Sequence, residues 1–411
     1  MKIRIIIIFL IWFFSINLIF AQNNNLTSSP YSLYGLGVSS SLNTGKINTL
    51  GGAGIAMPSI EFINNLNPAS YGAIPSNSLF YEIGVKAEKD QLNDNIESES
   101  RLNGNFSNLS IAFPISKNSG VGVNLLPYTT VGYTIFGIET SIEGSNEAFL
   151  SNITGSGGLN DFKLNYGYSL TDKFRIGVYG SYLFGTIKEE EIDFIKGVIF
   201  INNEKNYYNG FRFGAGFQLD LFDNISIGST ASFPTQLNGS QTETVIMQTS
   251  MPIINKDVDL DPFELPLELG FGLHIKLDKS LFLNVDYKKN FWDSTGQSDY
   301  IGEYVDRDVF AFGAEYIPKK NAIEYWKRIQ YRSGFNYDNG YLSIDGNRIH
   351  NYSLTIGAGL PFNRYTHSML NIGYSYGQKG LISNGLIQEN YHTLSLNFSF
   401  EGRWFVKRKL N

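Results

Sequence analysis

The side chains best placed to do chemistry are charged residues lying on the small, polar side of alternating stretches: Lys163, Arg175, Arg212, Asp220, Glu268, Lys276, Asp286, Lys288 and Arg332. Enclosed charges usually pair with one another. Lys163, Arg212 and Lys288 are candidates for a second role, binding a ligand carboxylate head group through charge-assisted hydrogen bonds. Asp257, Asp259, Asp261, Glu264 and Glu268 have the spacing of a calcium loop, but Pro262 stands where such a loop needs glycine, so no metal site is expected. His274, His350, His367 and His392 show no metal-ligand spacing and no nucleophile motif accompanies them. No catalytic residue is expected, and no cofactor. The absence of cysteine excludes thiolate metal sites, disulfides and a lipid anchor on cysteine.

Strands must position these residues. Leu394, Leu396, Phe398 and Phe400 alternate with Thr393, Ser395, Asn397 and Ser399. Phe162, Leu164, Tyr166 and Tyr168 alternate with Lys163, Asn165, Gly167 and Ser169, and the stretches 267–276 and 370–377 follow the same rule. Side chains of a strand point to opposite faces in turn. One face is therefore oily and the other small and polar, as lipid outside and an enclosed interior require. A water-soluble sandwich would carry more Lys, Glu and Thr on its outer face. The 42 glycines, 25 tyrosines and 31 phenylalanines against only 17% charged residues fit the membrane case. With a net charge of −6 and no basic stripe, nucleic acid is not an expected partner.

About fourteen such segments can be counted: 79–88, 104–116, 120–140, 157–170, 174–194, 206–221, 225–244, 265–277, 281–292, 306–318, 330–341, 350–362, 368–380 and 388–401. The fold expected is all-β, a transmembrane antiparallel β-barrel. Short connections at Lys117–Ser119, Thr171–Lys173, Asp223–Asn224 and Asp278–Ser280 alternate with long ones near 89–103, 143–156, 189–205, 241–264 and 293–305. Short turns belong in the periplasm and long loops outside. Lys319–Ile329 is long for its place in that scheme. Acidic loops such as Asn93–Glu99 would then face lipopolysaccharide and its bridging cations.

Lys2, Arg4 and the apolar run Ile5–Phe20 read as a signal peptide, residues 1–21, cleaved after Ala21 and directing the chain to the outer membrane. Residues 22–78 precede the first strand and carry Tyr31, Tyr34, Leu36, Leu50, Ile55, Phe62 and Leu66, more apolar side chains than a disordered tail shows. The expected organisation places 22–78 inside the barrel as a plug, 79–405 as the barrel and 406–411 as a short basic tail.

Gly52 and Gly54, the sequence Asn67-Pro68-Ala69 just before the first strand, the strand count and the hairpin Tyr325–Gly334 together resemble FadL-type outer-membrane transporters of long-chain fatty acids and other hydrophobic molecules. The ending Trp404–Lys409 resembles tails of Bacteroidota barrels. In that family the N-terminal segment is a hatch and a kink in the third strand opens the wall sideways. Pro127 falls in the third strand here, and proline in a sheet marks a bulge, an edge or a gap. The resemblance makes Pro127 a candidate lateral gate; Pro234 in the seventh strand is a weaker one. Passive uptake of hydrophobic small molecules is the function this implies. The rival is a non-transporting barrel that docks proteins in an envelope or secretion complex. An apolar passage favours the first, and a filled lumen the second.

Overall fold

Alternation becomes a wall when each strand finds two neighbours. A computed structural model describes residues 27–40, 43–94, 96–141, 148–195, 197–247, 252–299, 302–382 and 385–403. The expected signal peptide and the tail 406–411 lie outside them. Fourteen antiparallel strands form a closed barrel: β1 (Ser78–Asn93), β2 (Ser98–Pro114), β3 (Ser119–Pro127 and Thr129–Ser141), β4 (Ala148–Ser169), β5 (Phe174–Ile195), β6 (Val198–Phe222), β7 (Ile225–Ser232 and Thr235–Met247), β8 (Pro252–Leu265 and Glu268–Lys276), β9 (Leu281–Asn290), β10 (Arg307–Tyr316), β11 (Gln330–Asp338), β12 (Asn351–Pro361), β13 (Met369–Lys379) and β14 (Gln388–Arg403). β14 closes the ring on β1 along its full length, from Ser78↔Arg403 to Asn93↔Gln388.

The two faces separate as the sequence requires. Phe162 and Leu164 are 47% and 51% exposed, whereas Lys163 between them is 8% exposed. An outer surface this apolar is compatible with hydrocarbon and not with water. Among the described residues no helix is long and apolar enough to cross a membrane.

Several expected loops are strand. β1 and β2 extend into 89–103, β5 and β6 through 189–205, and β8 begins at Pro252 within the expected loop 241–264. The triad Asp257, Asp259 and Asp261 therefore lies along extended β8, where no calcium loop forms. Along these extensions the strict alternation lapses, as at Glu189-Glu190-Glu191 in β5 and Asn202-Asn203-Glu204-Lys205 in β6, while the pairing continues.

Three strands break. β3 breaks at Tyr128, β7 at Phe233–Pro234 and β8 at Pro266–Leu267, each beside a proline that cannot donate to the ladder. The break in β3 has the largest consequence. β2 pairs with β3 only from Leu109↔Leu125 to Pro114↔Gly120. Beyond it β3 follows β4 and leaves β2, so Ser98–Asn108 pairs with β1 alone among the described residues. The edge of β3 facing this seam pairs with a two-residue strand of the N-terminal segment, Val38↔Thr130 and Ser39↔Thr129.

The short turns gather at one end of the barrel and the long hairpins at the other. From Thr27 the N-terminal segment runs from the hairpin end, past the seam, to the turn end. There residues 44–74 lie against the inner wall. Fourteen buried apolar residues, among them Tyr31, Leu36, Leu183, Leu237, Trp292 and Tyr304, form one cluster at the hairpin end. A small three-stranded sheet of Gly302–Tyr304, Leu342–Ile344 and Asn347–Arg348 contributes to it.

Candidate functional site

Between that cluster and the N-terminal segment lies a chamber of about 430 Å³. Lys163, Arg212 and Lys288 all line it, so the structure brings the three candidate head-group ligands together. Each owes its inward aim to strand parity, with Phe162, Phe211 and Tyr287 as adjacent residues on the opposite face. Pro127 and Tyr128 line the same space, which places the strand break at the chamber wall.

The three cations differ in how they are satisfied. The Arg212 guanidinium donates to Tyr128 Oη (3.2 Å), Glu268 Oε1 (3.0 Å), the Phe233 carbonyl (3.3 Å) and the Pro266 carbonyl (2.7 Å). All three strand breaks therefore meet at one residue. A planar fork of five donors suits this task, because it reaches carbonyls that the interrupted ladders leave over. Lys163 sits over the Tyr179 ring at 4.0 Å from its centroid, and no carboxylate lies within ion-pair distance of its ammonium or that of Lys288 among the described residues. Arg212 is thus occupied by the protein itself, while Lys163 and Lys288 face the chamber.

Six basic and six acidic side chains line the chamber. Most of the carboxylates are engaged: Glu268 with Arg212, Asp338 with Arg307 at 2.5 Å, and Asp286 with backbone donors described below. Apolar side chains share this lining with the charges, among them Val38, Leu183, Leu269 and Val309. A hydrocarbon placed here would displace water from charges without offering them partners, a cost of several kcal/mol per charge.

The floor is held by backbone recognition that the sequence did not reveal. Asp286 accepts from Gly54 N (2.7 Å) and Ile55 N (2.9 Å), and Glu82 accepts from Ile63 N (3.2 Å). Asn67 caps the turn Pro68–Ala73 by accepting from Ala69 N at 3.0 Å. Its amide also donates to the carbonyls of Ile55 and, across to β6, of Phe217. Proline at the next position suits the first residue of that turn. Gly52 takes a left-handed φ of +86°, which favours glycine. Lys46 pairs with Glu315 at 2.7 Å, and Glu315 also accepts from Arg332. Burial pulls the Lys46 ammonium below its ordinary value, with Glu315 opposing.

The other sequence candidates are structural. Arg175 pairs with Asp220 at 2.8 Å, and Lys276 stands exposed at the turn end. His274 meets Asn284, His367 meets Glu401, and His392 meets Tyr374. Among the described residues no group of three or more His, Asp or Glu is placed to hold a metal.

The fold is similar to that of solved FadL-type channels. Solved structures similar to it include the monoaromatic hydrocarbon channel CymD (TM-score 0.62, 14% identity, covering 89% of this chain and 100% of that one) and the toluene transporter TbuX of Ralstonia pickettii (0.60, 15%, 88% and 98%). A FadL homologue of Pseudomonas aeruginosa is comparable (0.59, 12%, 87% and 98%). These are described as channels, transporters or their homologues, none as an enzyme. The profile of the BamG family matches residues 1–411, and the chain belongs to the BamG family. No curated protein matches the sequence.

Proposed function

We propose that this protein is a non-conducting outer-membrane barrel that serves as a docking subunit of an envelope or secretion complex. The observation that carries this reading is the obstructed lumen: an apolar cluster at the hairpin end, a hydrogen-bonded segment at the turn end, and a chamber with many charged residues between. In this reading residues 22–78 are a fixed plug, the turn end faces the periplasm, and the hairpins face outward. In this reading the Lys163 and Lys288 ammonium groups are hydrated within the chamber. Purified full-length protein in phospholipid vesicles is expected to take up toluene or a long-chain fatty acid no faster than protein-free vesicles. Protein-dependent uptake would defeat the reading.

The second reading is passive uptake of hydrophobic small molecules with lateral exit near Pro127, as the hydrocarbon channels of the same fold suggest. The seam between β2 and β3 favours it, because an unpaired stretch of wall is where an oily cargo could reach the bilayer. Here the head group of an amphipathic cargo would meet Lys163 and Lys288. A cysteine-free chain allows a direct test. Val38→Cys with Thr130→Cys, which are register partners, would lock the segment to β3 on oxidation. Uptake abolished by oxidation and restored by reduction would establish the second reading. Unchanged behaviour in both states is the expected result.

A further inference from the structure

At the turn end, apolar side chains stand exposed where no described residue covers them. Ile323 and Trp326, in the long connection 317–329, are 85% and 73% exposed; Tyr365, in the turn 362–368, is 86% exposed. The two connections belong to one surface. Glu61 of the N-terminal segment contacts Lys320 of the first and lies 3.7 Å from His367 of the second. Ile60, beside Glu61, is also exposed.

Glu61 ties both connections to the segment that occupies the barrel mouth, so this surface adjoins that mouth. Its charge is opposite to that of the molecule. Residues 60–61, 317–329 and 362–368 hold five Lys or Arg and two Glu, on a chain of net charge −6. Arg328 and Arg364 lie over the rings of Tyr325 and Tyr365, which combines cation and aromatic surface in the manner of interaction hot spots. The connection has internal order, since Lys319 N donates to the Lys327 carbonyl at 2.7 Å. A prefolded, basic, aromatic surface complements an acidic one with an apolar recess.

We propose that the turn-end mouth is a docking platform for a periplasmic protein whose contact surface is acidic, with Trp326 and Ile323 as its apolar anchors. The proposal rests on the docking reading and names the face that docks. It is tested with single cysteines in the full chain: Asn321→Cys beside the anchors and Lys279→Cys in another turn at the same end. Each is labelled with a bulky water-soluble maleimide, both in outer-membrane fragments from the native host and as purified protein in phospholipid vesicles.

Asn321→Cys should react on the order of ten-fold more slowly in native fragments than in vesicles, as mass action requires for a largely occupied site. Lys279→Cys should react equally in both. Protection should disappear with Ile323→Ser plus Trp326→Ala, and with Lys319→Glu plus Arg364→Glu, measured on molecules whose heat-modifiable gel mobility shows a folded barrel. Equally slow labelling in vesicles would mean that lipid covers the surface, and equally fast labelling would mean that nothing does. Protection that survives charge reversal would remove the acidic partner. Each of these outcomes overturns the platform, and none alters the uptake result that tests the non-conducting barrel.

Discussion

Arg212→Ala should destabilise the folded barrel by about 3 kcal/mol, the lower end for removing one partner of an enclosed ion pair. The loss combines several effects. Glu268 loses its counter-ion, the Pro266 carbonyl and the Tyr128 hydroxyl lose their donor, and the Phe233 carbonyl keeps only the Thr235 hydroxyl. Unsatisfied groups of this kind cost roughly 1–3 kcal/mol each when water cannot replace the donor, and the adjoining chamber limits that cost here. Arg212→Lys should recover only part of the loss, since three donors on one nitrogen cannot span the four acceptors that the guanidinium serves. Denaturant titration in detergent micelles, followed by heat-modifiable mobility, measures both variants. If Arg212→Ala unfolds at the wild-type midpoint, the guanidinium does not hold the three strand breaks together.

The second large effect concerns the inner wall. A Cβ added at Gly177 would stand 2.3 Å from the Pro68 carbonyl carbon and 2.4 Å from Ala69 N, and one at Gly167 would stand 2.4 Å from Gly72 N. These contacts are with backbone, which has no side-chain rotamer to yield. Gly177→Leu should therefore unseat the turn Pro68–Ala73 at a cost of about 2–3 kcal/mol, near the upper range for overpacking. The barrel should still form, because its ladders do not depend on that turn. The readout is single-channel current in planar bilayers together with protease cleavage between residues 44 and 74. Wild type is expected to be silent and resistant, and Gly177→Leu to conduct and be cut. Gly180→Leu is the control, since a Cβ there meets only the Phe213 ring at 3.4 Å. A silent, resistant Gly177→Leu would show that the segment does not obstruct the lumen.

The sequence carried the barrel because lipid imposes a rule on every second residue. Where that rule operates, as from Phe162 to Ser169, faces and register could be read directly. It lapses toward the hairpin end, which is why the far parts of β5, β6 and β8 resembled loops. The site was legible only in part. Parity placed Lys163, Arg212 and Lys288 inside, and Pro127 marked a break. Parity cannot say what an inward charge meets, however. The carbonyls that occupy Arg212 are freed by prolines at positions 234 and 266, distant in sequence from Pro127 and from Arg212. Asn67-Pro68-Ala69 was visible as a pattern, but the reach of the Asn67 amide to the Phe217 carbonyl depends on a glycine-lined wall allowing the backbone close. The acceptors Asp286 and Glu82 gave no local signal, since their partners are backbone amides of another segment.

The strands are unequal in height. β9 to β13 have 9 to 11 residues, enough to cross hydrocarbon at the usual tilt, whereas β5 and β6 have 22 and 25. At roughly 3.3 Å per residue the taller pair rises tens of ångströms farther. The ladder is thus a parapet on one arc and low on the other, where the small three-stranded sheet carries the rim. A neighbour in the same membrane therefore meets continuous strand on one side and connecting segments on the other, so the molecule carries a compass bearing within the plane of the bilayer.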